Sequence, residues 1–170
     1  MNTYELFIDE YACWGCMACE AACKQEHNPR DGIRLIKVTE QWSHSAEGSL
    51  KFTFRVAVCR HCDDPPCAEA CPVEAIAKRD DGIVILKGEE CSGCQACIDA
   101  CPYDAIDFDA DQGMAQKCDL CCHRVDHGLL PACADNVCPA HCIYFGDPGE
   151  MGQKISSGAG LTGTGRASEG

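Results

Sequence analysis

Cysteine spacing constrains this chain more than any other feature. Sixteen of its eighteen cysteines fall into four groups of four. The first is Cys13, Cys16, Cys19 and Cys23, spaced C-x2-C-x2-C-x3-C. The second is Cys59, Cys62, Cys67 and Cys71, spaced C-x2-C-x4-C-x3-C-P. Cys91, Cys94, Cys97 and Cys101 repeat the first spacing and add the proline. The fourth group is looser: Cys118 and Cys121, then Cys133 and Cys138, with Pro139 after the last. Thiolates are soft ligands suited to iron–sulfur clusters and to zinc. Structural zinc needs only two separated cysteine pairs around one ion. Three cysteines at i, i+3 and i+6 instead let one loop wrap a cubane and reach three of its irons, while the fourth iron takes a thiolate from a distant motif. The spacing therefore predicts four [4Fe–4S] clusters, and with them the transfer of single electrons.

The chain also repeats itself. Cys71-Pro72-Val73-Glu74-Ala75-Ile76 recurs as Cys101-Pro102-Tyr103-Asp104-Ala105-Ile106, and in degraded form as Cys138-Pro139-Ala140-His141-Cys142-Ile143. Each copy follows a cysteine loop and leads into a strand-like segment, the pattern of ferredoxin duplication. Tyr4, Leu6 and Ile8 alternate as in a short strand before the first quartet. Ala18 to Glu26 reads as helix, broken by Pro29-Arg30-Asp31-Gly32. Residues 33–42 and 50–58 alternate and are rich in Val, Ile and Phe, a hairpin joined by the polar stretch Ser43 to Ser49. Asp80-Asp81-Gly82 turns a second hairpin between Ala75–Lys78 and Ile83–Leu86. Asp111-Gln112-Gly113 turns a third. Residues 152–170 hold six of the sixteen glycines, with Ser and Thr and almost no large apolar side chain. Such a segment cannot build a core and reads as disordered or a linker on its own, and as a partner-bound tail in an assembly.

The 170 residues suffice for one compact domain or two very small ones. Aromatics are only 6%, so the metal is expected to fill interior space that Leu and Phe usually occupy. A net charge of −13 argues against nucleic-acid binding, which needs a basic face. That acidity reads first as solubility, and second as steering toward a basic docking site on a partner. The N-terminal residues have no basic n-region, apolar core or twin arginine, and no apolar run approaches the roughly 18 residues of a membrane span. The expected location is cytoplasmic, with no direct membrane span; secretion with disulfides is the weaker alternative.

Particular segments carry a resemblance to a known family. Cys59-Arg-His-Cys-Asp-Asp-Pro-Pro-Cys67, Cys91-Ser-Gly-Cys-Gln-Ala-Cys97, Lys117-Cys118-Asp119-Leu120-Cys121 and Pro131-Ala132-Cys133, continuing to Phe145-Gly146, resemble the four-cluster electron-transfer subunits of the dimethyl-sulfoxide-reductase family. Similar subunits accompany tungsten enzymes of the aldehyde:ferredoxin oxidoreductase family, in aldehyde oxidoreductase and benzoyl-CoA reductase complexes. The likeness covers roughly residues 4–146. It implies an α+β fold of two nested bacterial-ferredoxin-like modules with short strands, short helices and a β-hairpin insertion. The implied limits are an outer module 1–32 plus 110–150, an inner module 55–109, a hairpin 33–58, together a four-cluster domain over 1–150, and the tail 151–170. It also implies a ligand pairing: Cys13, Cys16 and Cys19 with Cys138; Cys23 with Cys118, Cys121 and Cys133; Cys59, Cys62 and Cys67 with Cys101; and Cys71 with Cys91, Cys94 and Cys97. The implied role is a non-catalytic subunit that relays electrons between a tungsten- or molybdenum-pterin catalytic subunit and another redox subunit or carrier, with a flavin subunit as a third member. Two other readings are an independent soluble polyferredoxin and a self-associating scaffold or filament protein.

The fourth quartet departs from the family pattern. The family usually has three residues between its last two cysteines, and here Ala134 to Val137 make four. Cys142 sits where the family often has Ala, and competes with Cys138, which keeps the proline. Cys122 and Cys142 read as small buried hydrophobes. His61, inside the second loop, suits a hydrogen bond near a cluster sulfur. Trp14 suits either shielding of the first loop or packing. Lys117 and Arg124 can offset cluster charge, although surface placement is the simpler expectation. Asp63 and Asp64 make no credible acid/base pair, and the glycines from Gly158 to Gly165 follow no strand and fail as a nucleotide loop.

Overall fold

The structure, a computed structural model, describes residues 4–44, 48–149 and 151. Much of the tail expected over 151–170, and part of the Ser43 to Ser49 connection, lie outside the described residues. Among the described residues the strands pair as four separate two-stranded antiparallel sheets, a mixed α+β architecture with no large sheet.

Strand β1 (Glu5–Ile8) buries Leu6 and Ile8 and turns Phe7 outward, the period of two read from its sequence. Its partner is β8 (Ile143–Gly146), near the other end of the described chain, with Leu6 opposite Phe145 and Ile8 opposite Ile143. Tyr4 stacks on Phe145 with ring centroids 5.2 Å apart. Helix α1 (Ala18–His27) places Cys19 and Cys23 four residues apart on one buried face. It runs one residue past Glu26 and ends on Asn28, whose left-handed φ of 44° and N–H bond to the Lys24 carbonyl close the last turn before Pro29.

The long hairpin is β2 (Ile36–His44) with β3 (Leu50–Val58). Ile36, Val38, Val56 and Val58 bury its root, and the outer half is exposed. There Trp42, Phe52 and Phe54 form a ladder of rings 4.6 and 4.7 Å apart. The hairpin β4 (Ile76–Lys78) and β5 (Val84–Leu86) turns at Gly82, with φ +91°, and Asp81 accepts the Ile83 N–H. In β6 (Ile106–Asp109) and β7 (Met114–Lys117), buried Asp109 accepts the N–H groups of Asp111 and Gln112, and Gly113 supplies the positive φ. This hairpin crosses the 109/110 division implied by the family likeness. Short helices α2 (Pro66–Glu69), α3 (Ala96–Ala100) and α4 (Cys122–Val125) complete the fold, the first two burying Cys67 and Cys97.

Two apolar cores result. One joins Leu6, Ile8, Cys19, Cys23, the hairpin root, Ile83, Leu120 and Cys133. The other joins Cys67, Ile76, Val84, Cys97, Ile106 and Ala115. Ile83 and Val84, adjacent in the chain, point into different cores. Among the described residues no helix is long and apolar enough to cross a membrane.

Candidate metal centres

Each quartet's tight loop uses the same backbone device. The residue just before the second cysteine is left-handed in all four: Gly15 (φ 67°), His61 (46°), Gly93 (71°) and Leu120 (55°). Met17, Gln95 and Cys121 continue the pattern one or two residues on. Left-handed residues set into such a tight turn let backbone N–H groups face inward, a concavity suited to an anion. The N–H groups of Gly15 and Leu120 donate to Cys13 Sγ and Cys118 Sγ at 3.5 and 3.4 Å. Gly93 is needed on two counts. A Cβ there would lie 2.6 Å from the Gly113 carbonyl oxygen, and its φ is positive. Gly93→Ala should lower anaerobic stability by about 2–4 kcal/mol, read from the urea midpoint. At Gly15 the neighbour is the Phe54 ring, which ties the first loop to the hairpin.

A second device repeats after each Cys-Pro. Glu74, Asp104 and His141, each three residues past its cysteine, have φ of 53°, 53° and 49°. The next residue is small and buried in every copy: Ala75, Ala105 and Cys142. An isoleucine then opens β4, β6 and β8. The third copy, degraded in sequence, therefore keeps the backbone course of the other two.

These loops converge. One cavity is lined by Cys59, Cys62, Cys67 and Cys101, with Val84, Pro102 and Ile106 among its walls. A second is lined by Cys71, Cys91, Cys94 and Cys97. Cys133 lies among Cys121, Cys23 and Cys19, and Cys118 lies near Cys133, Cys59 and Cys23. Around the first loop, Cys138 is near Cys19, Cys142 is near Cys13, and Cys138 and Cys142 have their Sγ atoms 3.5 Å apart. Cys16 and Cys94 are exposed, the surface members of the first and third quartets.

Burial governs the chemistry of these thiols. It pushes Cys19 and Cys23 up to about 12 and Cys97 and Cys121 up to about 11, and it raises Cys118, Cys133 and Cys142 further. Neighbouring cysteines add to the effect at Cys23 and Cys97. Metal binding here must release protons, since the thiolate is the ligand.

The donor set fits iron–sulfur clusters. Four sulfurs around each of two cavities, on loops tightened by left-handed residues, are what a cubane requires. An orphaned buried atom points the same way. His61 is 7% exposed, and its Nδ1 accepts the Val84 N–H at 2.9 Å, which leaves the proton on Nε2. Burial holds the ring neutral, its pKa down at about 3. Nε2 is buried and has no partner among the described residues, so it is a donor awaiting an acceptor beside Cys59 and Cys62.

Two residues depart from what their sequence context suggests. Lys117, for which surface placement is the simpler expectation, is 6% exposed. His27 carries no signal in the sequence, yet its Nε2 lies 3.2 Å from Cys121 Sγ and 3.6 Å from Asp119. No spacing rule marks it; only the packing of α1 on the fourth loop brings it there. Arg124 is partly buried and pairs with Glu26 and Asp135. Trp14 is 66% exposed, so its ring faces solvent more than core. Asp63 pairs with Lys78 and is not a partner for Asp64.

Comparison with known proteins agrees with this chemistry. Residues 50–148 match the family described as 4Fe-4S dicluster domain. Over 158 residues the chain is 37% identical to a subunit of the tetrathionate reductase of Salmonella typhimurium, covering 92% of this chain and 62% of that one. It is 36% identical over 169 residues to a component of the anaerobic dimethyl sulfoxide reductase of Haemophilus influenzae, covering 95% and 82%. A third relative is the arsenate respiratory reductase iron-sulfur subunit of a Shewanella species, 31% identical over 205 residues, covering 89% of this chain and 84% of that one.

Proposed function

We propose, because the chain belongs to the 4Fe-4S dicluster domain family and is akin to the iron–sulfur subunits of reductases, that it relays single electrons through four [4Fe–4S] clusters between a pterin-bearing catalytic subunit and a second redox partner. It is an electron-transfer subunit and not itself a catalyst. Bound clusters supply reversible one-electron reduction at potentials set by charge, sulfur hydrogen bonds and exposure. The chain's own work is to hold the thiolates, exclude water and place donors around them.

The observation that carries this reading is the reciprocal lining of the two cavities. Cys101 joins Cys59, Cys62 and Cys67, while Cys71 joins Cys91, Cys94 and Cys97. Exchange of the Cys-Pro cysteine between loops is the two-cluster ferredoxin arrangement. For the outer pair the proposed sets are Cys13, Cys16, Cys19 and Cys138, and Cys23, Cys118, Cys121 and Cys133. Support comes from the shared face of Cys19 and Cys23 on α1 and from Cys133 lying near Cys23 and Cys121. The proposed modules are 1–32 plus 110–150 outside, 55–109 inside and 33–58 as the inserted hairpin. The separate apolar cores and the β1–β8 pairing favour this nesting. Linked in sequence, the four sets make a path from exposed Cys16, past Cys23 and Cys118, past Cys59, to exposed Cys94.

The catalytic partner is proposed to carry molybdenum or tungsten, the tungsten branch being aldehyde-oxidoreductase-like or benzoyl-CoA-reductase-like. A flavin subunit and a cytoplasmic location complete the proposal. The names of the matched relatives, all components of reductases, favour a reductase-type partner. The test is anaerobic purification of the native complex followed by metal, sulfide and mass analysis. About sixteen irons per chain are expected from four cubanes, together with molybdenum or tungsten in a co-purifying larger chain. Zinc in place of iron, or a partner-free monomer in native extract, overturns the reading.

A further inference from the structure

Lys117 sits where the two cores meet, and its surroundings are unusual for a lysine. The side chain is 6% exposed. Its Nζ donates to the Val84 carbonyl, to the Cys118 carbonyl at 3.0 Å and toward Cys59 Sγ at 3.8 Å. The three acceptors account for the three ammonium protons. Among the described residues no carboxylate lies within salt-bridge reach of Nζ. Other cations on the chain, such as Lys37, Lys78 and Arg79, have carboxylate partners. Burying an ammonium with only neutral acceptors is strongly unfavourable, so a buried cation requires an anion nearby.

The position says which anion. Cys118 and Cys59 belong to different proposed centres, one outer and one inner. Lys117 lies against both residues. Cys67 lines the same cavity as Cys59. A cubane held by four thiolates is an anion in either oxidation state, and more strongly so when reduced. A fixed cation in a low-dielectric interior stabilises the reduced state preferentially.

We propose that Lys117 is a charge-compensating bridge between the centre of Cys59, Cys62, Cys67 and Cys101 and the centre of Cys118, Cys121, Cys133 and Cys23, and that it raises the reduction potential of the first above what its thiolates alone would give. The inference rests on the four-cluster reading above. Reduction adds one electron to the centre and breaks no bond; the added charge is what the ammonium faces. Lys117 is thus a positioning residue, acting through the N–H···S contact to Cys59. It sets the driving force at the step where electrons pass between the outer and inner modules.

The test uses the anaerobically purified holoprotein and an EPR-monitored potentiometric titration with dithionite and ferricyanide. In Lys117→Gln, with iron content equal to the parent, one centre should titrate at a more negative potential, a second should move less, and the remaining centres should hold. Lys117→Arg should restore most of the shift. Full iron with every potential unchanged in Lys117→Gln overturns the proposal. A parent without iron at these cysteines overturns the underlying reading instead, and is seen before any variant is made. Should Lys117→Gln fail to load, the parent alone decides. Uniform ¹⁵N-lysine labelling should give a ¹⁵N hyperfine coupling on one reduced centre, and its absence overturns the proposal.

Discussion

Stripping the iron from this protein is expected to abolish its folded state, and not merely its redox activity. Cys19, Cys23, Cys67, Cys97, Cys118 and Cys133 are themselves members of the two cores. Among the described residues the longest helix has ten residues and each sheet has two strands, so little regular structure survives without the loops. Where a metal site does not form in the unfolded chain, the binding free energy of the metal is folding free energy, about 10–16 kcal/mol for structural zinc in small domains. A contribution of that order rivals the whole stability of a typical domain, about 5–15 kcal/mol. Burial also favours the protonated thiols once the metal has gone, so the thiols no longer hold the loops together through shared iron. Anaerobic chelation with a thiol reductant present should therefore erase the cooperative melting transition. The radius of gyration should rise from roughly 16 Å toward roughly 44 Å by small-angle scattering. Reloading with iron and sulfide should reverse both changes. A stripped chain that keeps its radius and its transition overturns this account and makes the clusters passengers in a self-sufficient fold.

Much of that fold is legible in local sequence because its elements are short and their signals are chemical. Asp80-Asp81-Gly82 and Asp111-Gln112-Gly113 name their turns, since the aspartates accept neighbouring N–H groups and the glycines take positive φ. Alternation at Leu6 and Ile8 names a strand but not its partner. The pairing of β1 with β8 depends on contacts across nearly the whole described chain, and no local pattern encodes them. The left-handed residues of the cysteine loops are half visible. Gly15 and Gly93 announce themselves, whereas His61 and Leu120 take the same conformation against their own preference. Tertiary packing and a buried bond from Val84 hold His61 there. Lys117 reads as a surface residue because a lysine beside a cysteine motif is usually solvated. Its burial follows from β7 running between the cores, a fact of topology with no trace in composition.

Substituting Cys138 should remove one cluster, and substituting Cys142 should remove none. The two sulfurs lie only 3.5 Å apart, so proximity cannot choose between them. Backbone equivalence can. Cys138 starts the third Cys-Pro turn, whose left-handed His141 matches Glu74 and Asp104 in the turns begun by Cys71 and Cys101. Cys71 and Cys101 line the two cavities. Cys142 holds the place of Ala75 and Ala105, small residues buried under their strands. A cysteine serves there as a compact apolar group, and burial together with its bonds to Cys138 and Cys13 raises its thiol, which keeps it protonated. Cys138→Ser should accordingly lower the iron content from about sixteen to about twelve per chain, with loss of one EPR signal. Cys142→Ala, which restores the residue of the other two repeats, should keep all the iron and shift the melting temperature by only a few degrees, as one small core truncation would. Loss of iron in Cys142→Ala with retention in Cys138→Ser would transfer the ligand to Cys142. Retention in both single variants, with loss only in the double variant, would mean that either thiol can close the centre. Either result would show that the extra residue between Cys133 and Cys138 had shifted the ligand register of the fourth quartet.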